Sequence, residues 1–301
     1  MNSHDDHEHS LAADLTAMLN LNSDRRQTLR WLLAGASALP VLGCGGGSGG
    51  SDSSSTTSTA ATTTPTTGTT TTTGTTTTTT TTPTAGSCSV IPEETGGPYP
   101  ADGTNSNSSG VVNVLTQSGV VRSDIRSSFG GASGTAAGVP LTIKLQIVNA
   151  NNNCAALANA AVYLWHCDRD GNYSLYSSGV TSQNYLRGVQ ETDSNGNLSF
   201  TTVYPGCYSG RVPHVHFEVY PSLAKASSAS NRIKTSQFTF PVATSQEAYA
   251  ATGYSASVKN LAAISFATDG IFSDGYSLQM ATITGNATDG YVATLTVAVS
   301  A

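Results

Sequence analysis

The sequence predicts an all-β protein, a β-sandwich carried behind an export-type signal and a threonine-rich linker. Short segments alternate apolar and polar residues with a period of two, the pattern of a strand that buries one face. Glycine, asparagine and aspartate cluster between those segments and supply the turns. Only one stretch, 244–263, carries helical spacing, and Gly253 interrupts it. Many short strands at regular intervals with glycine-rich turns are the pattern of a sandwich.

Composition divides the chain into three parts. Residues 1–44 contain the paired arginines Arg25 and Arg26 in DRRQTLRWL, then the apolar run WLLAGASALPVLG, then Cys44. That run is too short for a stable bilayer span but suits the core of a cleavable signal. The paired arginine resembles a twin-arginine export signal, and VLGC resembles a lipobox with Cys44 as its lipidated residue. The expected location is therefore the periplasm or cell envelope, as a lipid-anchored protein, or the secreted fraction. Residues 45–87 are almost wholly Gly, Ser and Thr, with nothing apolar to bury, and read as a disordered linker. Residues 88–301 are enough for one β domain.

Within that domain the expected strands follow in order. VPLTIKLQIVNA (139–150) runs to an asparagine-rich turn, and ANAAVYLWHCD (158–168) runs to DRDG. NLSFTTVYPG (197–206), HVHFEVYPS (214–222) and KTSQFTFPV (234–242) come next. SLQMATITG (277–285) and YVATLTVAVS (291–300) close the chain around NATDG. Of the 301 residues only 11% are charged, with a formal net charge of −6, so no basic face is available for a nucleic-acid backbone. Four cysteines fall in the domain, Cys88, Cys154, Cys167 and Cys207. In an oxidising compartment they favour two disulfides, with three possible connectivities.

The chemistry concentrates in YPGCYSGRVPHVHF (204–217). His214 and His216 are spaced i, i+2, so on a strand both imidazoles leave the same face and can chelate one transition metal. An HxH pair alone occurs often by chance. Only His166 accompanies them beyond Cys44. Glu218 continues the same face as a candidate third ligand. Tyrosines offer the other donors: Tyr204 and Tyr208 just upstream, and Tyr185 in QNYLRGVQETD. A phenol ligates only a metal acidic enough to remove its proton, and ferric iron is such a metal. The blander reading makes Tyr204, Tyr220, Trp165 and Phe217 packing residues, His166 a structural hydrogen-bond partner and Arg211 a surface residue.

Here a resemblance enters. PEETGGPYP, VRSDIR, GVPLTIKLQIV, AAVYLWHCDRDGNYS, NYLRGVQETDSNGNLSFTTVYPGCYSGRVPHVHF, KTSQFTF and TDGIFSDGY occur in that order over about 92–276. The set resembles the intradiol ring-cleavage dioxygenases, and most of all their exported, shortened bacterial forms. The resemblance implies Fe(III) held by Tyr185, Tyr208, His214 and His216, with Tyr173 and Tyr176 open as alternatives to Tyr185. It implies Arg211, Tyr208 and Gln237 as catalytic residues, and Gly97, Pro98 and Tyr99 as a segment bordering the substrate. The substrates are then a small aromatic diol and O2, and the product a cis,cis-muconate-type dicarboxylic acid. Glu218 has no counterpart among that family's ligands. With the iron site so placed, the expected disulfides are Cys154–Cys167 and Cys88–Cys207. Two other functions stay open on sequence: a non-catalytic exported binding module with a vestigial metal site, and a zinc- or copper-binding exported protein.

Overall fold

The computed structural model describes residues 88–301. The expected signal, with Arg25, Arg26 and Cys44, and the linker 45–87 lie outside the described residues. Two sheets and a hairpin are built from β1 (Asp102–Asn107), β2 (Gly110–Asn113), β3 (Pro140–Asn149), β4 (Ala155–Ala156), β5 (Ala161–Trp165), β6 (Arg187–Glu191), β7 (Asn197–Val203), β8 (His214–Tyr220), β9 (Lys234–Thr239), β10 (Thr282–Asn286) and β11 (Gly290–Val299). One sheet runs β10-β11-β3, with β7 and β4 both pairing β3 beyond it. β11 and β3 pair in parallel over Tyr291–Val299 and Leu141–Asn149, while the other ladders are antiparallel. The second sheet runs β6-β5-β8-β9, wholly antiparallel. β1 and β2 form a separate hairpin.

The two sheets pack face to face, as expected of a sandwich. Leu141, Ile143, Leu145 and Ile147 of β3 meet Val162 and Leu164 of β5, Val215, Phe217 and Val219 of β8, and Phe238 of β9 in one apolar cluster. Each large side chain buried there contributes roughly 1.5–3 kcal/mol. The second sheet is unusual in burying its other face as well. Every residue of β8 is buried, and beyond it lies a second cluster of Tyr163, Trp165, Tyr173, Tyr208 and Tyr220 roofed by the loops before β1 and after β5. That roofed face carries the site.

The helical spacing of 244–263 resolves into α1 (Val242–Tyr249) and α2 (Ser255–Ala262), with Gly253, at a φ of 99°, in the turn between them. These helices grip the loop between β7 and β8. Tyr254 Oη donates to the Tyr204 carbonyl at 2.8 Å and Tyr249 Oη to the Pro205 carbonyl at 3.0 Å. Cys207 is held at both ends, its N–H by Ser257 Oγ at 2.9 Å and its carbonyl by Asn260 Nδ2 at 2.7 Å. Among the described residues no helix is long and apolar enough to cross a membrane.

Two expectations are corrected. The strand expected at 277–285 begins only at Thr282, because Gln279 turns inward to donate to the Gln237 carbonyl at 3.0 Å. The disulfide is Cys88–Cys154, while Cys167 and Cys207 are free and buried; both expected pairings fail. Cys154 adjoins β4 in the β3 sheet, whereas Cys167 follows β5 in the other sheet. Cys207 faces the sandwich core and Cys167 the roofed side. Burial raises both thiols, Cys207 to about 12, so neither is a ready nucleophile for exchange. Non-reducing peptide mapping should therefore recover a Cys88–Cys154 link, with Cys167 and Cys207 alkylated only after unfolding. Replacing Cys154 with serine should lower stability by roughly 2–4 kcal/mol; a Cys88–Cys207 peptide would contradict this arrangement.

Candidate metal centre

The centre starts from the alternation of β8. Val215, Phe217 and Val219 enter the sandwich core, so His214 and His216 must face the roofed side. Register aligns Arg187 of β6, Trp165 of β5, His216 of β8 and Gln237 of β9 in one row across the sheet. Trp165 stacks on His216 with ring centres 5.0 Å apart and planes 7° apart, which fixes that imidazole's plane. The two histidine rings stand 4.8 Å apart and nearly perpendicular, at 78°.

His214 Nδ1 lies 2.7 Å from the Val212 carbonyl, an acceptor only, so Nδ1 carries the proton and Nε2 presents its lone pair. Three groups converge on that lone pair: Tyr208 Oη at 3.0 Å, Tyr173 Oη at 3.3 Å and Arg211 Nη1 at 3.4 Å. One lone pair cannot satisfy three donors. The arrangement makes sense if something other than a proton donor sits among Nε2 and the two phenol oxygens. Burial, then the Arg211 charge, holds both histidines well below their usual range, so both are neutral and free to ligate. Burial likewise pushes Tyr208 up to about 12 and raises Tyr173. Only a strongly acidic cation would draw protons from such phenols near neutrality.

The surrounding residues are fixed by their own partners. Arg211 is fully buried, and its Nε donates to both oxygens of Asp269 at 3.0 and 3.1 Å. Its Nη2 donates to Gln237 Oε1 at 2.7 Å, and Gln237 Nε2 in turn donates to the Thr95 carbonyl at 2.9 Å. Asp269 also accepts the backbone N–H groups of Val212, Ile271 and Phe272. Gly97 has a φ of 74°, and a Cβ there would stand 3.2 Å from His216 Cε1 and 3.7 Å from Nε2. Only glycine takes that backbone and leaves that space freely. The Pro98 carbonyl accepts from the Asn105 side chain, and the Tyr99 ring packs 5.2 Å from Tyr173 and 5.0 Å from Tyr176. Gly97, Pro98 and Tyr99 thus border the centre.

Tyr185 does not join it. Its hydroxyl donates to Asp168 Oδ2 at 3.2 Å, and its ring belongs to a cluster with Ala136, Leu186 and Val203. Tyr173 stands against His214 instead. Tyr176 is engaged elsewhere, donating to Asn105 Oδ1 at 2.6 Å. Glu218, pushed up to about 8 by burial, accepts from Tyr220 Oη at 2.6 Å. His166 is tied by Nδ1 to the Cys167 carbonyl and by Nε2 to Thr202 Oγ1, both at 2.7 Å, a structural role. Among the described residues no group of three His, Cys, Asp or Glu could hold a metal; donors for a metal here have to include phenols. Asp269 escaped the sequence reading because an aspartate before a glycine looks like any turn residue.

Removing Asp269 would strand a buried cation. Asp269→Ala should cost roughly 3–5 kcal/mol of stability in denaturant unfolding, and a change below 1 kcal/mol would show that the pair does not hold Arg211. Gly97→Ala should fold but crowd His216, which metal titration would register as weakened binding.

A family model described as Dioxygenase matches residues 124–226. Over 53 residues the chain is 42% identical to catechol 1,2-dioxygenase 2 of Acinetobacter lwoffii, a match spanning 18% of this chain and 19% of that protein. The chain therefore spans about a fifth of the length of that curated relative. The crystallised intradiol ring-cleavage dioxygenase from Tetranychus urticae is 25% identical, with a TM-score of 0.53, covering 70% of this chain and 94% of that one. Sandwich, paired histidines and facing tyrosines agree with these likenesses: the described domain is similar to the intradiol ring-cleavage dioxygenases.

Proposed function

We propose that the domain is a ferric, non-haem enzyme that opens a catechol-type ring between its two hydroxyls with O2, giving a cis,cis-muconate-type dicarboxylic acid. The observation that carries this reading is the convergence of Tyr173 and Tyr208 on His214 Nε2, with His216 beside them. Two neutral imidazoles and two phenols are a donor set for a hard, acidic cation. The space kept open at Gly97 beside His216 supports the same fit. Tyr173, Tyr208, His214 and His216 would hold the iron, and Tyr185 would not. Bound Fe(III) would supply the Lewis acidity that ionises the phenols and a chelated diol, and the electron demand that activates the ring toward O2.

The chain's own groups do the rest. Tyr208 Oη, mounted on a loop gripped by α1 and α2, would as a phenolate accept a proton from an incoming diol hydroxyl. Arg211 presents Nη1 toward the same region, with its other arms fixed by Asp269 and Gln237, and stabilises negative charge that grows on the ring oxygens. Gly97, Pro98 and Tyr99 cover the ring and limit water. We further propose that the protein acts outside the cytoplasm, supported by Arg25–Arg26, the apolar run and Cys44.

Purified iron-loaded protein should be red to purple-brown and change colour when catechol is added; a colourless iron-loaded protein would leave only the non-catalytic or zinc and copper readings. Tyr173→Phe should lose most iron and the visible band. Tyr208→Phe should lower turnover by about 10²–10⁴-fold while binding some iron. Tyr185→Phe should keep iron, colour and turnover, and its loss of iron would return Tyr185 to the ligand set. For export, changing Arg25 and Arg26 to lysine should leave unprocessed precursor in the cytoplasm; normal export of the variant would contradict that route.

A further inference from the structure

A buried guanidinium away from Arg211 has no role in the proposed chemistry. Arg187, at the start of β6, is 1% exposed. Its four hydrogen bonds all end on neutral oxygens. Nη1 donates to the Pro100 carbonyl and to Tyr163 Oη, both at 3.1 Å. Nη2 donates to the Ser174 carbonyl at 3.0 Å, and Nε to Ser174 Oγ at 3.1 Å. The Tyr176 ring lies 5.5 Å from its Cζ. Among the described residues it makes no ion pair. A buried cation without a carboxylate is costly, and a neutral side chain would fill a purely packing role at less cost.

What the guanidinium joins is informative. Pro100 ends the segment that lays Gly97 over His216 and Tyr99 against Tyr173. Ser174 directly follows Tyr173. These segments are more than 70 residues apart by number, and neither is a strand of the main sheets. Arg187 is a sheet residue in the His216 row, bonded to both. Ser174 Oγ also donates to the Tyr185 carbonyl at 2.7 Å, so the Tyr173 loop is fastened at successive points. A planar fork with five N–H donors reaches such a set of oxygens; an ammonium does not.

We infer that Arg187 is a positioning residue that clamps the 96–100 segment and the Tyr173 loop to the sheet, and so holds Tyr173 opposite His214 and Tyr99 over the diol. The inference rests on the proposed function for what is positioned, but the clamp itself can be tested without iron or substrate.

The test uses the full chain with Arg187→Lys and Arg187→Gln. In metal-free protein, hydrogen exchange of peptides covering 96–101 and 172–177 should rise together in both variants, while the sandwich strands keep their protection. In loaded protein, iron affinity or kcat/KM for catechol should fall about 10–100-fold, with the visible band shifted, and lysine should not rescue. Protection unchanged in both peptides, or lost in only one, would overturn the clamp. Should neither variant fold, wild-type exchange decides: the clamp requires the two segments to open with a common free energy, and distinct values would refute it. Loss of the clamp in a protein that never takes iron would sink the proposed function and leave the clamp standing. Normal iron and turnover with the clamp lost would overturn the positioning role while leaving the function intact.

Discussion

The structure depends on burying both faces of β8. A strand buried on one side alternates apolar and polar residues, and the polar side normally faces water. Here the polar side is roofed, so His214, His216 and Glu218 are as inaccessible as Val215 and Phe217. The apolar face sets the register against β5 and β9, and a one-residue slip would exchange the two faces entirely. Packing in the sandwich therefore determines where the imidazoles stand. Burial in turn keeps them neutral, the state in which they can ligate.

Roofing a polar face leaves its groups to find partners away from water, and the roof is made of loops whose backbones need partners too. The solution is reciprocal. Side chains of the sheet and helices satisfy loop carbonyls, and the loops deliver aromatic side chains over the histidines. α1 and α2 hold the Tyr208 loop through Tyr249, Tyr254, Ser257 and Asn260. Gln237 holds Thr95. The Cys88–Cys154 link fastens the start of the domain to the turn after β3. Donors of the candidate centre are thus held from outside it, as Trp165 holds the His216 ring and the Val212 carbonyl holds His214.

The two buried arginines show two ways of tolerating charge. Arg211 is neutralised by Asp269 and aimed at His214, so its field acts locally and directionally. Arg187 is solvated by carbonyl and hydroxyl oxygens, as a cation is in water, and those oxygens belong to the segments framing the centre. The first arrangement leaves a directed positive charge beside His214; the second spreads a cation's hydrogen bonds over two loops.

Much of this protein was legible along the chain. Period-two alternation located most strands of both sheets, because burial of one face leaves a mark on every second residue. HVHF placed two imidazoles on one face for the same reason, and Tyr208 and Arg211 lay close enough in sequence to be read with them. The helical spacing at 244–263, interrupted at Gly253, marked where the two helices lie. The weakly patterned strands β1, β2, β4 and β6 left no such mark. Contacts between distant segments were decided only by tertiary structure. The resemblance pointed to Tyr185 over Tyr173 and Tyr176, and only the fold of the loop after β5 turns Tyr173 to His214 and Tyr185 to Asp168. Cysteine pairing depends on which segments come together, and Cys154 and Cys167 adjoin strands of different sheets. Asp269 and Arg187 acquire their roles from partners 58 and up to 87 positions away. Local periodicity is set by local burial and can be read locally, whereas a hydrogen bond between loops is set by the path of the whole chain between them.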